Sequence, residues 1–227
     1  MDSFRLQSRH GNRNVSVYLP HGYEDGSSEY PVIVLTEDKF WMHNADLPNT
    51  LDHLIGKSVR PLIAAFVSGQ FREYGGAATR GYVDMIGKDL IPELDRRYRT
   101  KKNGKDHAIM GRRAGAVAAV YAALAYPAAF DQCVPISYGR ADSVRQYEIA
   151  KLIEGLVGRP PRFHFHWNRY DIWRPQSFDV REQSRELAGT LTENEFEVVT
   201  MVRLDGAGWK SWSIQAGHAL EALFPIE

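Results

Sequence analysis

The order of apolar segments along this chain constrains its fold more than any other feature of the sequence. Residues 31–35 and 62–67 are uninterrupted apolar runs, which are typical of strands buried on both faces of a sheet. Residues 82–98 carry an apolar stripe with a 3.6-residue period and residues 114–126 are rich in alanine, so both segments are predicted helices. Strands that alternate with helices predict an α/β fold with a mostly parallel central sheet and helices on both faces.

The other predicted elements continue this alternation. Strands are predicted at residues 15–19, 107–110, 132–137, 162–167 and 196–204, and helices at residues 51–55, 183–192 and 213–223. Sheets of this kind bind ligands beyond the carboxyl ends of their strands. We therefore expect one shared crevice, formed by the loops after residues 35, 67, 110, 167 and 204.

Composition and charge exclude several classes of protein. The 227 residues suit one domain spanning residues 1–227, and 28 Lys and Arg balance 28 Asp and Glu. A net charge of zero argues against a protein that holds nucleic acid or an anionic membrane by bulk charge. The single cysteine, Cys133, excludes an internal disulfide and is expected to be a small buried hydrophobe. Because the sequence has neither an apolar leader nor an apolar run of about 18 residues, we expect a cytoplasmic protein.

The junction between a predicted strand and a predicted helix at residues 108–115 is the most informative motif. It reads Ala-Ile-Met-Gly-Arg-Arg-Ala-Gly, with Gly111 and Gly115 on either side of Arg113. Glycines at this spacing fit a nucleophile elbow, a turn so tight that side chains there would collide with the neighbouring strand and helix. The middle residue of these five, residues 111–115, is serine in an active serine hydrolase of this type. Here it is Arg113.

An ordered set of motifs resembles a family of esterases that includes S-formylglutathione hydrolase and the catalytic domain of enterochelin esterase. The resemblance covers nearly the whole sequence, at residues 15–23, 30–35 with Trp41, 71–74, 90–100, 121–130 and 220–225. It implies the α/β-hydrolase fold and a triad whose acid corresponds to Asp171. It also implies that the triad histidine belongs in the loop at residues 205–212.

Two members of the triad implied by this resemblance are missing. The serine position falls on Arg113, and the histidine position falls on Ala207 or Gly208, with no histidine between His166 and His218. A serine hydroxyl needs an adjacent base, and a permanently protonated guanidinium cannot replace it as a nucleophile. The sequence therefore predicts a degenerate triad and the loss of serine-hydrolase chemistry.

Arg113 is the central residue of the predicted site and has two interpretations. Its guanidinium either binds a carboxylate or phosphate of a small-molecule ligand, or forms an ion pair with Asp171 or with Glu37 and Asp38. Asp171 and Glu37 are the candidate acid–base residues. The predicted ligand-binding residues are Arg113, Asp38, Ala114, Trp209, Tyr170 and Trp41.

Three functional hypotheses follow from these residues. The first is a ligand-binding or accessory protein that uses the old esterase pocket. The second is an enzyme of a non-hydrolytic class (isomerase, cyclase or lyase-type acid–base chemistry) that uses Asp171 or Glu37 with Arg113. The third is an inactive interaction subunit, in which the pocket is filled by its own side chains and an apolar patch is exposed. A homodimer is a further expectation.

Other candidates carry weaker signals. His164 and His166 share one face of a predicted strand, but no third ligand is near them in the sequence and no metal is expected. The glycines after Tyr74 fit neither the Walker nor the Rossmann phosphate fingerprint, and no cofactor is expected. Trp167, Trp173 and Trp212 are candidates for an aromatic lining of the crevice. Arg112 and Arg140 are candidates for a basic rim around it.

Overall fold

The computed structural model describes residues 1–102, 104, 106–139, 143–171 and 179–226. Arg140 and Trp173 lie outside the described residues. The strands are β1 (Asp2–Leu6), β2 (Arg13–Tyr18), β3 (Val32–Thr36), β4 (Ile63–Val67), β5 (His107–Arg112), β6 (Gln132–Ile136), β7 (Arg162–Tyr170) and β8 (Val198–Gly206). The helices are α1 (Leu47–Leu54), α2 (Phe71–Gly75), α3 (Thr79–Met85), α4 (Ile91–Arg97), α5 (Ala114–Ala125), α6 (Ser143–Glu154), α7 (Val180–Glu193) and α8 (Trp209–Leu223).

The strands form an eight-stranded sheet in the order β1-β2-β4-β3-β5-β6-β7-β8. Strand β2 is antiparallel to β1 and to β4, whereas β4, β3, β5, β6, β7 and β8 run parallel to one another. The prediction of a mostly parallel sheet is confirmed. Strands β3 and β5 lie near the centre, which places the junction at Arg113 in the middle of the carboxyl edge.

Hydrophobic cores on both faces of the sheet fix the positions of the helices. Successive residues of β3 point to opposite faces: Val32 packs in the core that includes α5, and Ile33 packs in the core that includes α1 and α8. Helix α5 is buried on nearly all sides, which explains its alanine-rich, wholly apolar sequence. The prediction of helices on both faces is confirmed.

Some predicted boundaries were wrong. The segment at residues 82–98 is not one uniform helix, because a π-helical turn at Ile86–Leu90 separates α3 from α4. Pro92 lies at the start of α4, where its missing N–H group costs no hydrogen bond and the wider turn before it accommodates its ring. Strand β1 and helix α6 were not predicted, and residues 71–74, which were expected to form a loop, lie in helix α2. Helix α8 begins four residues before the expected residue 213.

The close approach of β5, α5 and β3 explains both glycines of the junction. A Cβ on Gly111 would lie 2.2 Å from the carbonyl oxygen of Gly115 and 2.6 Å from Thr36 Oγ1. A Cβ on Gly115 would lie 2.6 Å from Glu37 Oε2. The two glycines thus allow β5 to run into α5 with a single residue, Arg113, between the end of the strand and the start of the helix.

The variant Gly111→Ala tests this packing. We expect it to lower the free energy of unfolding by about 2–3 kcal/mol, because the new methyl group meets backbone atoms that cannot move aside. The matched control is Gly189→Ala in α7, where a Cβ meets nothing within 4 Å. That substitution should raise the free energy of unfolding by roughly 0.5–1 kcal/mol. Urea denaturation measures both values, and equal stabilities for the two variants would contradict this account.

Candidate functional site

Backbone strain marks the carboxyl ends of three neighbouring strands. Glu37 follows β3 with a φ angle of 69°, Arg113 follows β5 with 51°, and Ser137 follows β6 with 49°. Left-handed φ angles are unfavourable for residues with a side chain and concentrate at functional sites. The structure brings together the loops after β3 and β5, which are two of the five loops predicted to share a crevice, and the loop after β6, which was not among them.

Arg113 occupies the turn between β5 and α5 and forms an ion pair with Asp171. Its backbone N–H donates to the carbonyl of Ile136 at 2.9 Å, and its NH2 group lies 2.8 Å from Asp171 Oδ1. The Ser137 hydroxyl donates to the other carboxylate oxygen and accepts a 3.2 Å hydrogen bond from Trp212 Nε1. Asp171 is 0% exposed and Arg113 is 7% exposed. Of the two interpretations of Arg113, the ion pair with Asp171 is present.

A second ion pair, between Arg112 and Glu37, lies beside the first. Arg112 NH2 is 3.2 Å from Glu37 Oε1, and its guanidinium carbon lies 3.9 Å from the ring centre of Phe40 and 4.5 Å from that of Trp212. Burial raises the pKa of Glu37 to about 7, although the positive charge of Arg112 partly offsets this effect. The carboxyl group of Glu37 therefore titrates near neutral pH.

The substitution Glu37→Gln tests this titration. The folded-state pKa of Glu37, about 7, lies above its ordinary value of 4.5, so the stability contributed by its protonated form is complete below pH 4.5 and is lost as the pH rises through 7. Relative to the variant, the wild-type free energy of unfolding should fall by about 2–3 kcal/mol between about pH 5 and pH 8. Urea denaturation across this range measures the difference, and parallel profiles would contradict it.

The loop that joins β8 to α8 contains no histidine. It is held by Asn168, whose Nδ2 group donates to the carbonyl of Gly206 at 3.1 Å and whose Oδ1 accepts from Ser211 at 2.9 Å and from Gln215 at 2.5 Å. Among the described residues, the hydrogen bonds join no Ser or Cys side chain to an imidazole ring. The side chains of Asn168, Ser211 and Gln215 therefore anchor the segment in which the resemblance implies a triad histidine.

The two histidines of β7 are structural in character. His164 and His166 are buried on the side of the sheet that faces α8. Burial lowers the pKa of both, and that of His166 to about 4, so the His166 imidazole is neutral at pH 7. Cys133 is buried as predicted. In the part of the chain that the structure describes, no three His, Cys, Asp or Glu side chains are grouped as metal ligands.

The other predicted site residues separate into three environments. Tyr170 and Trp209 are exposed, whereas Trp41 and Ala114 are buried in the two hydrophobic cores and so do not line an open surface. Asp38 lies in a different environment from Tyr170, Trp209, Trp41 and Ala114. It lines a polar cavity of about 490 Å³ together with Arg5, Asn12, Arg13, Asn14, Lys39, Ser68, Gly69, Gln70 and Glu73.

Sequence reasoning missed Ser137 as a site residue and gave Arg112 only a minor place. Ser137 directly follows β6, next in the sheet to the strand that ends at the junction. That position in a parallel sheet was the signal that could have identified it. The role of Arg112 as the partner of Glu37 depends on long-range packing that no local pattern records.

Comparison with known proteins assigns the chain to a family. The model of the Esterase family (Putative esterase) matches residues 7–185, and the chain belongs to this family. It is 24% identical over 167 residues to Uncharacterized protein YbbA of Bacillus subtilis (strain 168), covering 65% of this chain and 66%, just under two thirds, of that protein.

Solved structures share the fold. A ferulic acid esterase superposes with a TM-score of 0.81 at 16% identity, covering 98% of this chain and 97% of the other. The S-formylglutathione hydrolase of Staphylococcus aureus superposes with a TM-score of 0.75 at 13% identity and the same coverage. The predicted α/β-hydrolase fold and the resemblance to esterases are confirmed. In the described residues, no helix has both the length and the apolar character needed to cross a bilayer.

Proposed function

We propose that this chain is a member of the Esterase family that has lost serine-hydrolase chemistry and binds a small anionic ligand at the carboxyl edge of its sheet. The observation that carries the proposal is the Arg113–Asp171 ion pair, which puts a guanidinium at the turn where the resemblance to esterases implies a serine nucleophile. The retained acid serves this cation in place of an imidazole. Ester hydrolysis by the family's mechanism would need a nucleophile and a base that these positions lack.

The charges around Arg112 and Arg113 favour an anionic ligand when the carboxyl group of Glu37 is protonated. Two guanidinium groups, from Arg112 and Arg113, face two carboxyl groups, from Glu37 and Asp171. Because the pKa of Glu37 is about 7, this carboxyl is neutral in about half of the molecules at that pH. Its protonation leaves Arg112 without a full counter-charge, beside the exposed ring of Trp209. A carboxylate or phosphate approaching Arg112 would supply that charge.

Binding of benzoate and inorganic phosphate tests this function. If the anion replaces the charge of Glu37, affinity depends on the protonated fraction of this residue and should be about tenfold higher at roughly pH 6 than at pH 8. Titration calorimetry measures the dissociation constants, and melting temperature should rise with saturation.

Three variants make this test specific. Glu37→Gln should make anion affinity independent of pH, and Arg112→Gln should abolish binding. Arg96→Gln is the matched control, because Arg96 pairs with Glu93 at the exposed surface of α4. Absence of binding of either anion at both pH values would overturn the proposal.

A second candidate function is acid–base catalysis by Glu37. The observation that favours it is the pKa of about 7, since a general base works best when its pKa is near the operating pH. Asp171 is less suited to this role because it is fully buried and engaged by Arg113 and Ser137. Deuterium exchange at the methyl group of pyruvate, followed by NMR, tests proton abstraction next to a carbonyl. Exchange should be lost in Glu37→Gln and kept in Asp38→Asn, and no exchange in the wild type would exclude this function for pyruvate.

A further inference from the structure

Strand β8 presents an exposed apolar edge. It is the last strand of the sheet, and among the described residues its strand neighbour is β7 alone. Val199, Val202 and Leu204 are 48%, 50% and 72% exposed. Soluble proteins usually protect such edges with proline, lysine or a covering element, yet residues 197–206 contain neither proline nor lysine. The charges of this strand, Glu197, Arg203 and Asp205, and its irregular pairing with β7 lie toward its two ends, so residues 198–202 form a mostly apolar stretch of edge that is typical of a binding surface.

The backbone of β8 has free hydrogen-bonding groups in a defined pattern. The carbonyl of Glu197 accepts a 2.9 Å hydrogen bond from the N–H of Phe163, so Glu197 and every second residue after it direct their backbone groups toward β7. The intervening residues Val198, Thr200 and Val202 direct their N–H and C=O groups away from the sheet. These outward groups are available to another strand.

We propose that β8 pairs with β8 of a second copy of this chain. The two strands would run antiparallel about a twofold axis at Thr200, which joins two eight-stranded sheets into one continuous sheet. Each Val198 then lies opposite Val202 of the second copy, and Thr200 lies opposite Thr200. Because all of these residues direct their backbone groups outward, the pairing forms about six main-chain hydrogen bonds.

Charge complementarity fixes this register. With the axis at Thr200, Glu197 lies opposite Arg203 of the second copy, twice in the dimer. Both residues lie on the α8 side of the sheet, because Val199 is in register with His164 on that side and Arg203 NH1 contacts His218 Nε2 at 3.3 Å. Arg203 Nε also pairs with Asp205 of its own strand at 2.8 Å, so Glu197 of the second copy would add a second carboxylate partner to this guanidinium. Moving the axis to Met201 would place Glu197 opposite Asp205 and oppose two like charges. The sequence of β8 thus favours a second copy of itself as the occupant.

The dimer does not depend on the proposed ligand site, because Arg112 is at the end of β5 and strands β6 and β7 lie between β5 and β8 in the sheet. It would give the exposed apolar residues of β8 a function that is independent of chemistry at the junction. It also agrees with the hypothesis of an interaction subunit, in which an apolar patch accompanies a filled pocket.

Sedimentation equilibrium of the full chain tests the proposal. The wild type should associate to twice its mass of 25.8 kDa in a concentration-dependent manner. Val202→Lys should raise the dimer dissociation constant by about tenfold or more, since it buries an ammonium opposite Val198 at two places. Val157→Lys is the matched control, because Val157 is 88% exposed and lies outside the sheet. It should leave the dissociation constant unchanged.

A charge exchange tests the register. Glu197→Arg and Arg203→Glu should each raise the dissociation constant about tenfold, by opposing like charges twice, and the double variant should return it to within about threefold of the wild type. Circular dichroism melting curves identify any variant that fails to fold, and the recovery in the double variant cannot come from misfolding. A wild type that stays monomeric at every concentration, or a dimer insensitive to Val202→Lys, overturns the proposal. Failure of the double variant to recover overturns the register.

Discussion

The variant Arg113→Met is expected to lose about 3–5 kcal/mol of unfolding free energy, because it leaves the carboxylate of Asp171 buried without its ion-pair partner. Asp171 is fully buried, and among the described residues the side-chain hydrogen bond that remains to its carboxylate after the substitution comes from Ser137. Methionine keeps most of the side-chain volume, so the loss reports the charge more than a cavity. Urea denaturation at neutral pH measures the change.

Two further variants separate this effect from general damage. Arg113→Met combined with Asp171→Asn removes both charges and should recover most of the lost stability. Arg96→Met removes an exposed guanidinium paired with Glu93 and should change stability by less than about 0.5 kcal/mol. If Arg113→Met is as stable as Arg96→Met, the buried ion pair does not hold the junction together.

The variant Arg113→Ser is expected to gain no esterase turnover. The residues of a catalytic triad act together and raise the rate of hydrolysis by about six orders of magnitude. A serine without an adjacent base recovers little of this acceleration. Within the described residues, no imidazole is hydrogen-bonded to a hydroxyl or thiol side chain that could serve as a nucleophile. Hydrolysis of p-nitrophenyl acetate should therefore stay within a few-fold of the wild-type rate.

The serine variant also leaves Asp171 unpaired, so its folding has to be measured in the same sample. Arg113→Ser combined with Asp171→Asn supplies a version in which the buried charge is absent. A rate increase of several decades in either folded variant would mean that a base lies near residue 113, and would contradict the proposal that serine-hydrolase chemistry has been lost.

Most of the fold could be predicted because its signals are local. The apolar runs at β3 and β4 and the glycines around Arg113 each reflect the immediate backbone. Strand β1 escaped prediction because it lies at an edge and buries little beyond Leu6. The π-helical turn before α4 was not resolved as a separate segment because it keeps the apolar stripe of a continuous helix.

The site could be predicted only in part. The ion pair between Arg113 and Asp171 was one of the predicted alternatives, because each residue lies directly after a strand of the parallel sheet. Glu37 and Asp38 are adjacent in the sequence, yet they reach different surroundings, because Glu37 lies in a left-handed turn after β3 and the chain enters a helical turn at Asp38. The raised pKa of Glu37 results from burial by distant segments, which sequence alone does not show.

The most direct test of the central claim is treatment of the wild-type chain with a fluorophosphonate probe, followed by intact-protein mass spectrometry and ester hydrolysis in parallel. The S-formylglutathione hydrolase of Staphylococcus aureus, which shares the fold, serves as the comparison protein. The account predicts an unmodified mass and no hydrolysis above the buffer rate for this chain. A single phosphonylated serine, with ester hydrolysis that the probe abolishes, would contradict it.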